Sequence, residues 1–157
     1  MKRQGGFTLI EMVVVIVILG ILAVTAAPRF LNLQDDARNS SLQGLKGAID
    51  GAAGITFGKA AIQGKEAADS GQNVEGIALV YGYPAATSAA LEAAVNGLKE
   101  DWKVVESDKL VEGEDDGIAY TFKARNDKGC YVHYKAATSS AAATTKVVTA
   151  NGCTTSN

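Results

Sequence analysis

Histidine and cysteine are scarce in this chain of 157 residues, which has one His and two Cys. Without His133, no Ser/His/Asp or Cys/His catalytic set can be drawn, and a lone histidine on a predicted strand is usually a surface or satisfied residue. Two thiols and one imidazole are a poor metal site. The formal charge of −2 does not suggest strong binding to nucleic acid. We therefore expect no enzyme, no metal and no cofactor.

One acidic loop, residues 112–116, is the remaining candidate for a bound ion. Several carboxylates on a flexible loop suit Ca²⁺. The spacing Asp-x-Asp-x-Asp-Gly is missing, however, so we predict a solvated loop and leave calcium binding open. The Ser, Thr and Ala tract at 136–145 is likewise predicted to be a plain polar loop rather than a glycosylated one.

The N-terminus combines a short basic leader, residues 1–6, with a long apolar run. Lys2 and Arg3 precede the run and predict that this end stays in the cytoplasm. Residues 7–27 form the run, and a helix of this length spans roughly 30 Å, one hydrocarbon thickness. A plain membrane anchor explains the length and the hydropathy of the run. It does not explain the leader or the single carboxylate of Glu11.

The predicted cleavage site lies before the apolar run, between Gly6 and Phe7. Two glycines leave the backbone accessible to a protease at the membrane face. The small residues 25–27 imitate a signal-peptidase site, but Pro28 follows them directly and suits most proteases badly. Cleavage after Gly6 keeps the apolar segment in the mature protein and changes the formal charge from −2 to −4, since Lys2 and Arg3 are lost.

Glu11 is the only charged residue in the apolar run. An ionised carboxylate in hydrocarbon costs at least a few kcal/mol, so it needs a partner. A positive charge from a second copy of the chain is the partner that we expect. A cation four residues away on the same helix is an alternative.

The segment Lys-Arg-Gln-Gly-Gly-Phe-Thr-Leu-Ile-Glu resembles the N-terminus of type IV pilins and their relatives, the class III prepilins. The likeness continues through Gly20 and Pro28 and covers residues 5–33, about a fifth of the chain. The sequence from Val13 to Arg38 is most similar to that of the mannose-sensitive haemagglutinin pilins.

This resemblance implies a set of roles for named residues. A prepilin peptidase would cut between Gly6 and Phe7 and methylate the new amine of Phe7. Glu11 would pair with that amine on a neighbouring subunit. Gly20 and Pro28 weaken the helix, so the segment between them is where it would melt or extend in a filament.

The chain after Pro28 changes from uniformly apolar to periodic. Apolar residues recur at three- and four-residue steps, which predicts an amphipathic helix over 28–63 with one buried face. The predicted face consists of Phe30, Leu33, Ala37, Leu42, Leu45, Ile49, Ala52 and Ile55. A helix from Phe7 to Gly58 would be about 80 Å long, so its hydrophobic half should protrude.

Residues 64–157 are predicted to form a globular α+β head. Alternating patterns at 118–124, 130–135 and 144–149, separated by turn residues, predict an antiparallel meander. A further short strand is predicted at 102–105, and a helix capped by Thr87 or Ser88. The fold class is therefore α+β, a long helix laid across a small antiparallel sheet.

Cys130 and Cys153 are predicted to form one disulfide, because the head is exported. The bond would close a loop of 24 residues and stabilise the fold by roughly 3 kcal/mol. It also favours a pilin over the similar major pseudopilins, which usually lack such a pair and bind calcium.

The sequence thus predicts a structural subunit of a type IV pilus that acts in surface attachment. The expected location is the inner membrane for the precursor and the cell surface for the filament. Expected partners are other copies of the chain, a prepilin peptidase, an inner-membrane platform and ATPases, while the surface ligand is left open. The alternatives are a pseudopilin of type II secretion and an anchored binding domain that never polymerises, with an enzyme a distant third.

Overall fold

The computed structural model describes residues 6–113, 116–124, 128–150 and 153. Their contacts divide the chain into two units, with the boundary after Ala37. The first unit is the front part of one long helix. The second unit contains the rest of that helix and the whole head.

Helix α1 runs over Leu9–Ile62, 54 residues. Its backbone is helical through Gly20 and Pro28. It ends at Ile62, one residue before the predicted end of the amphipathic helix at 63. Gly64 follows with a positive φ of 65°, a conformation that favours glycine. Lys65 N donates to Ala60 O at 2.9 Å, and Gly64 N donates to Ala61 O at 3.1 Å. These two bonds form a Schellman motif, which satisfies carbonyls that the helix end would leave unpaired.

The rear half of α1 buries one face, which differs in part from the predicted one. Leu42, Leu45 and Ile49 are buried as predicted, and the stripe continues by three- and four-residue steps through Ala53, Thr56 and Ala60. Leu33 and Ile55 are 60% and 64% exposed, so their predicted burial is wrong for the single chain. Ala37 is also exposed and Ala52 is half-buried, while the side chain of Phe30 lies outside the described residues. The stripe rotates with the 3.6-residue period, which carries Ile55 off the buried face.

A small antiparallel sheet follows the helix. It consists of β1 (Asn73–Val74), β2 (Ile77–Val80) and β3 (Tyr83–Pro84), in that order. Val80 pairs with Tyr83 across a two-residue turn. Both turn residues have positive φ, 47° at Tyr81 and 78° at Gly82, as a type I′ hairpin turn requires.

Two short helices connect the two sheets. Helix α2 (Ser88–Ala94) is capped by Thr87, whose hydroxyl accepts from Ala90 N at 3.3 Å. This confirms one of the two predicted caps. Helix α3 (Leu98–Asp101) begins after Gly97.

The main sheet has four antiparallel strands in sequence order. They are β4 (Trp102–Val104), β5 (Ile118–Phe122), β6 (Cys130–Lys135) and β7 (Thr144–Thr149). The predicted meander is thus confirmed, with the strand at Trp102 as its first member. A 3₁₀ turn at Ser107–Lys109 lies between β4 and β5.

Both faces of the sheet are covered at β6. One face joins the main core, where Tyr120, Val132 and Tyr134 meet the buried face of α1 and helix α2. The other face carries Tyr131, whose hydroxyl accepts from Val111 N at 2.8 Å. Residues of the loop after β4 complete this second cluster: Val105, Leu110 and Val111. His133 is also buried, with 4% of its surface exposed. The long helix and the antiparallel sheets together confirm the α+β fold.

Candidate assembly site

The front of α1 presents apolar side chains on every side. The window Leu9–Ala26 has a mean hydropathy of 2.8, and none of it is buried in the single chain. By length and composition this segment is able to cross a membrane. Large side chains are exposed all around it, from 44% at Met12 to 81% at Leu9. Such a surface is stable only in lipid or against other apolar surfaces, since water would have to solvate it.

Glu11 forms a capping box with Thr8 at the start of this helix. The Thr8 hydroxyl accepts from Glu11 N at 3.3 Å and donates to Glu11 Oε2 at 2.6 Å. Thr8 N also donates to Glu11 Oε2, at 2.8 Å. The two side chains therefore form a hydrogen bond with each other, and each accepts from one of the backbone amides that a helix start leaves unpaired. The sequence analysis missed this partner, although Thr8-Leu9-Ile10-Glu11 has the Ser/Thr-x-x-Glu spacing that marks such a box.

The box leaves part of the carboxylate available. Among the described residues only Thr8 donates to Glu11, and both bonds reach Oε2. The other oxygen is free to accept from a cation outside this set. A shallow apolar cavity of about 250 Å³ lies on this part of the helix, lined by Ile10, Glu11, Val14 and Val15.

The predicted processing site precedes the helix. Gly6 and Phe7 have no helical hydrogen-bond pattern, and Phe7 is 83% exposed. A Cβ built on Gly6 would meet no atom within 4 Å. Exposed backbone outside regular structure is what a protease binds most readily. Residues 1–5 of the leader, Lys2 and Arg3 among them, lie outside the described residues.

The two predicted weak points lie within continuous helix. No atom outside the helix lies near the position of a Cβ on Gly20. Thr25 Oγ1 donates to Ile21 O at 3.3 Å and to Leu22 O at 3.1 Å, a pattern that bends helices slightly. The melting of the segment from Gly20 to Pro28 stays a prediction for the filament.

The head contains the predicted disulfide between Cys130 and Cys153, whose Cα atoms are 4.8 Å apart. Both residues are buried and belong to the main core. The bond therefore holds the chain after β7 against the start of β6, far along the sequence from the apolar segment.

Part of the acidic loop lies outside the described residues, namely Glu114 and Asp115. Asp116 pairs with Lys135, and this hydrogen bond lowers the pKa of the Asp116 carboxyl. In the part of the chain that is described, no three residues of the His, Cys, Asp or Glu type are grouped to hold a metal. Calcium binding by the loop stays untested.

Comparison with known protein families gives a match for the first 27 residues. They match the model of the prokaryotic N-terminal methylation motif, residues 1–27. No solved structure matches the chain.

Three curated relatives match about a third of the chain or slightly less. The type IV narrow pilus major component PilA5 of Thermus thermophilus is 45% identical over 53 residues, 34% of this chain and 46% of that protein. The type II secretion system core protein G of Klebsiella pneumoniae is 46% identical over 54 residues, 32% of this chain and 39% of that protein. Its counterpart from Pseudomonas aeruginosa is 46% identical over 43 residues, 27% of this chain and 30% of that protein.

The matched segments span less than half of each relative. Pili and type II secretion are represented at nearly equal identity, 45% and 46%, so the comparisons do not separate the two. The family is one of structural subunits rather than enzymes. The methylation motif, the two kinds of relative and the fold make this chain a type IV pilin-like protein.

Proposed function

We propose that the chain is a structural subunit of a type IV pilus, a filament for surface attachment. Its parts are a leader (1–6), an assembly helix (7–27), an amphipathic helix (28–63) and a head (64–157). Cleavage between Gly6 and Phe7 frees the amine of Phe7, which is then methylated. The precursor resides in the inner membrane with its N-terminus in the cytoplasm, and the filament lies outside the cell. A prepilin peptidase, a platform protein and ATPases act on it.

The exposed apolar helix is the observation that carries this proposal. Apart from Glu11 and Thr25 its surface is apolar over Leu9–Ala26, so lipid solvates it before assembly. In a filament, the same side chains pack against the helices of other copies. Contacts of this head-to-tail kind do not close, and they generate an open helical polymer.

Glu11 supplies the polar contact of assembly. In the single chain its carboxylate is stabilised by Thr8 alone, among the described residues. The methylated amine of Phe7 from a neighbouring copy would bind the free oxygen. The pair forms only on assembly. The cost of removing both charges from water is then offset by their mutual attraction between the packed helices.

The disulfide supports a pilus rather than a secretion pseudopilin only through the resemblance, since similar major pseudopilins usually lack such a pair. A bond between Cys130 and Cys153 persists only where the head is exported to an oxidising compartment. It stabilises the end of the head by roughly 3 kcal/mol in the chain-entropy model.

Intact-mass spectrometry of sheared surface filaments tests the proposal. We expect a main species that begins at Phe7, heavier by one methylation and lighter by two hydrogens for the disulfide. A species that begins at Met1 or Pro28 would contradict the processing. Absence of the protein from the sheared fraction would contradict the pilus.

The variant Glu11→Gln tests the role of the charge. Glutamine has the same shape and still accepts from Thr8, so the capping box is retained. We expect filaments to be lost while the membrane-bound precursor accumulates at normal levels. Glu100→Gln, an exposed change on α3, is the matched control and should assemble normally. Normal filaments from Glu11→Gln would refute the charge pair.

The second candidate function is a pseudopilin of type II secretion. The identity of 46% to two core proteins G favours it. Such a subunit would be processed and methylated in the same way but would stay within the cell envelope. Recovery of the methylated form only from the envelope fraction would therefore support this candidate over the pilus.

A further inference from the structure

An Asn-Gly pair forms the exposed link between helices α2 and α3. Leu98 N donates to Val95 O at 3.4 Å, and this bond closes a turn around Asn96 and Gly97. Gly97 has φ 78° and ψ 0°, while Asn96 is not among the residues with positive φ. These are the features of a type II β-turn, which favours glycine at its third position.

Neither reacting group of this pair is held in place. Asn96 and Gly97 are both exposed. In the part of the chain that is described, no hydrogen bond joins the Asn96 side chain or the Gly97 N–H to another residue. A Cβ on Gly97 would meet only Asp101 Oδ2, at 3.9 Å, so few atoms crowd the turn. The Gly97 nitrogen is therefore accessible as a nucleophile towards the preceding side-chain amide.

We infer that Asn96 is a site of spontaneous deamidation through a cyclic imide. The Gly97 nitrogen loses its proton to solvent and forms a bond to Asn96 Cγ, the bond from Cγ to Nδ2 breaks, and ammonia leaves. Water then opens the imide at either carbonyl and gives aspartate or isoaspartate. Asparagine is among the thermolabile residues. Glycine has no side chain to block the attack and permits the backbone rotation that closes the ring.

Two other exposed asparagines lack these features and serve as comparators within the chain. Asn39 precedes Ser40 in the middle of α1, where the Ser40 N–H belongs to the helical hydrogen-bond ladder. Asn73 precedes Val74, a β-branched residue in strand β1 that is 1% exposed. Exposure alone would make the three sites equivalent, whereas the imide route favours Asn96.

Isoaspartate at this position should loosen the head. Val95 and Leu98, on either side of the pair, are 6% and 1% exposed and belong to the main core. In isoaspartate the main chain passes through the side-chain carbon, so the link between these two anchors becomes one atom longer. Aspartate leaves the length of the link unchanged. The inference concerns the head alone and does not depend on the proposed function.

Ageing of the full chain in detergent micelles tests the inference. The buffer is mildly alkaline, since the attacking nitrogen must lose its proton, and peptide mass spectrometry with electron-transfer fragmentation distinguishes isoaspartate from aspartate. We expect both products at Asn96, at a rate at least about 10-fold above those at Asn39 and Asn73, because structured backbone must first open locally before it can react. The pair Asn151–Gly152 lies outside the described residues and is measured on a separate peptide.

Two variants make the test specific. Gly97→Asn tolerates the left-handed backbone but places a side chain beside the attacking nitrogen, so it should slow the reaction about 10-fold or more. Asn96→Asp supplies one product directly and should melt like the unaged wild type, whereas the aged wild type should melt at a lower temperature.

Several results would overturn the inference. Aspartate without isoaspartate at position 96 would indicate direct hydrolysis rather than an imide. Equal rates at the three asparagines would show that the turn has no influence, and an unchanged rate in Gly97→Asn would exclude Gly97 as the nucleophile. Equal melting temperatures of the aged wild type and Asn96→Asp would refute the loosening of the head.

Discussion

Two buried tyrosines of the main core allow a matched test of what one hydrogen bond contributes to the head. Tyr134 and Tyr120 are 0% and 1% exposed, and both lie in the same cluster. The Tyr134 hydroxyl donates to Pro84 O at 2.7 Å and so links the two sheets. The Tyr120 hydroxyl has no partner among the described residues. The same change to phenylalanine therefore removes a bonded hydroxyl in one case and an unbonded one in the other.

The expected effects of the two changes have opposite directions. Tyr134→Phe leaves the buried carbonyl of Pro84 unpaired, so the free energy of unfolding should fall by about 1–3 kcal/mol. Tyr120→Phe removes a polar group whose burial is not compensated. Its free energy of unfolding should stay the same or rise by up to about 1 kcal/mol.

Urea unfolding of the full chain in detergent micelles measures both effects. Trp102, the only tryptophan of the sequence, reports on the sheet because its ring lies 4.7 Å from that of Phe122. The detergent keeps the apolar helix solvated in every variant, so differences arise in the head. If Tyr120→Phe costs as much as Tyr134→Phe, the hydrogen-bond assignment is refuted.

Burial raises the pKa of Tyr120 to about 12. The free energy of unfolding of the head should therefore be constant below pH 10 and fall as the pH rises towards 12. Urea titrations should show a smaller fall for Tyr120→Phe. Gly117→Ala should unfold the head or destabilise it by more than about 3 kcal/mol, because its Cβ would lie 2.4 Å from Tyr134 O and its φ is 137°. A stable Gly117→Ala protein by the same assay would contradict this. Cys153→Ser should cost about 3 kcal/mol, the same loss that a reductant causes in the wild type. Thr8→Val should increase amide exchange at Glu11 while Thr8→Ser should not, since only the hydroxyls cap the helix.

The large elements of the fold could be predicted because each has a strong local pattern. The apolar run continues into the amphipathic helix, and the alternation at Ile118, Cys130 and Thr144 predicts three of the four main strands. For the small sheet, the sequence predicts only a strand or a turn at 77–83, because its strands have two to four residues and depend on the turn at Tyr81 and Gly82. Strands this short are set by tertiary contacts rather than by their own periodicity.

Burial on the second face of the main sheet was also missed. Alternation in β6 predicts one buried face, with Val132 and Tyr134 on it. Tyr131 on the other face is nevertheless fully buried, because the loop around Leu110 and Val111 covers it. A loop without a periodic pattern gives no sign in the sequence of where it packs. The exposure of Leu33 and Ile55 has a related cause, since periodicity predicts an apolar face but not how much of it the head covers.

The candidate assembly residues were identified from sequence by type and spacing, and the structure adds how Glu11 is held. The capping box with Thr8 gives the carboxylate two hydrogen bonds within the single chain. In the proposed filament, an incoming amine therefore pairs with a carboxylate that Thr8 already stabilises. The free energy gained from the new pair is smaller than it would be for an unbonded carboxylate. Removing the Thr8 hydroxyl would make Glu11 costlier in the membrane and more dependent on the amine. Thr8→Val should then impair assembly less than Glu11→Gln, and the double variant should be no worse than Glu11→Gln, because both changes act through one carboxylate.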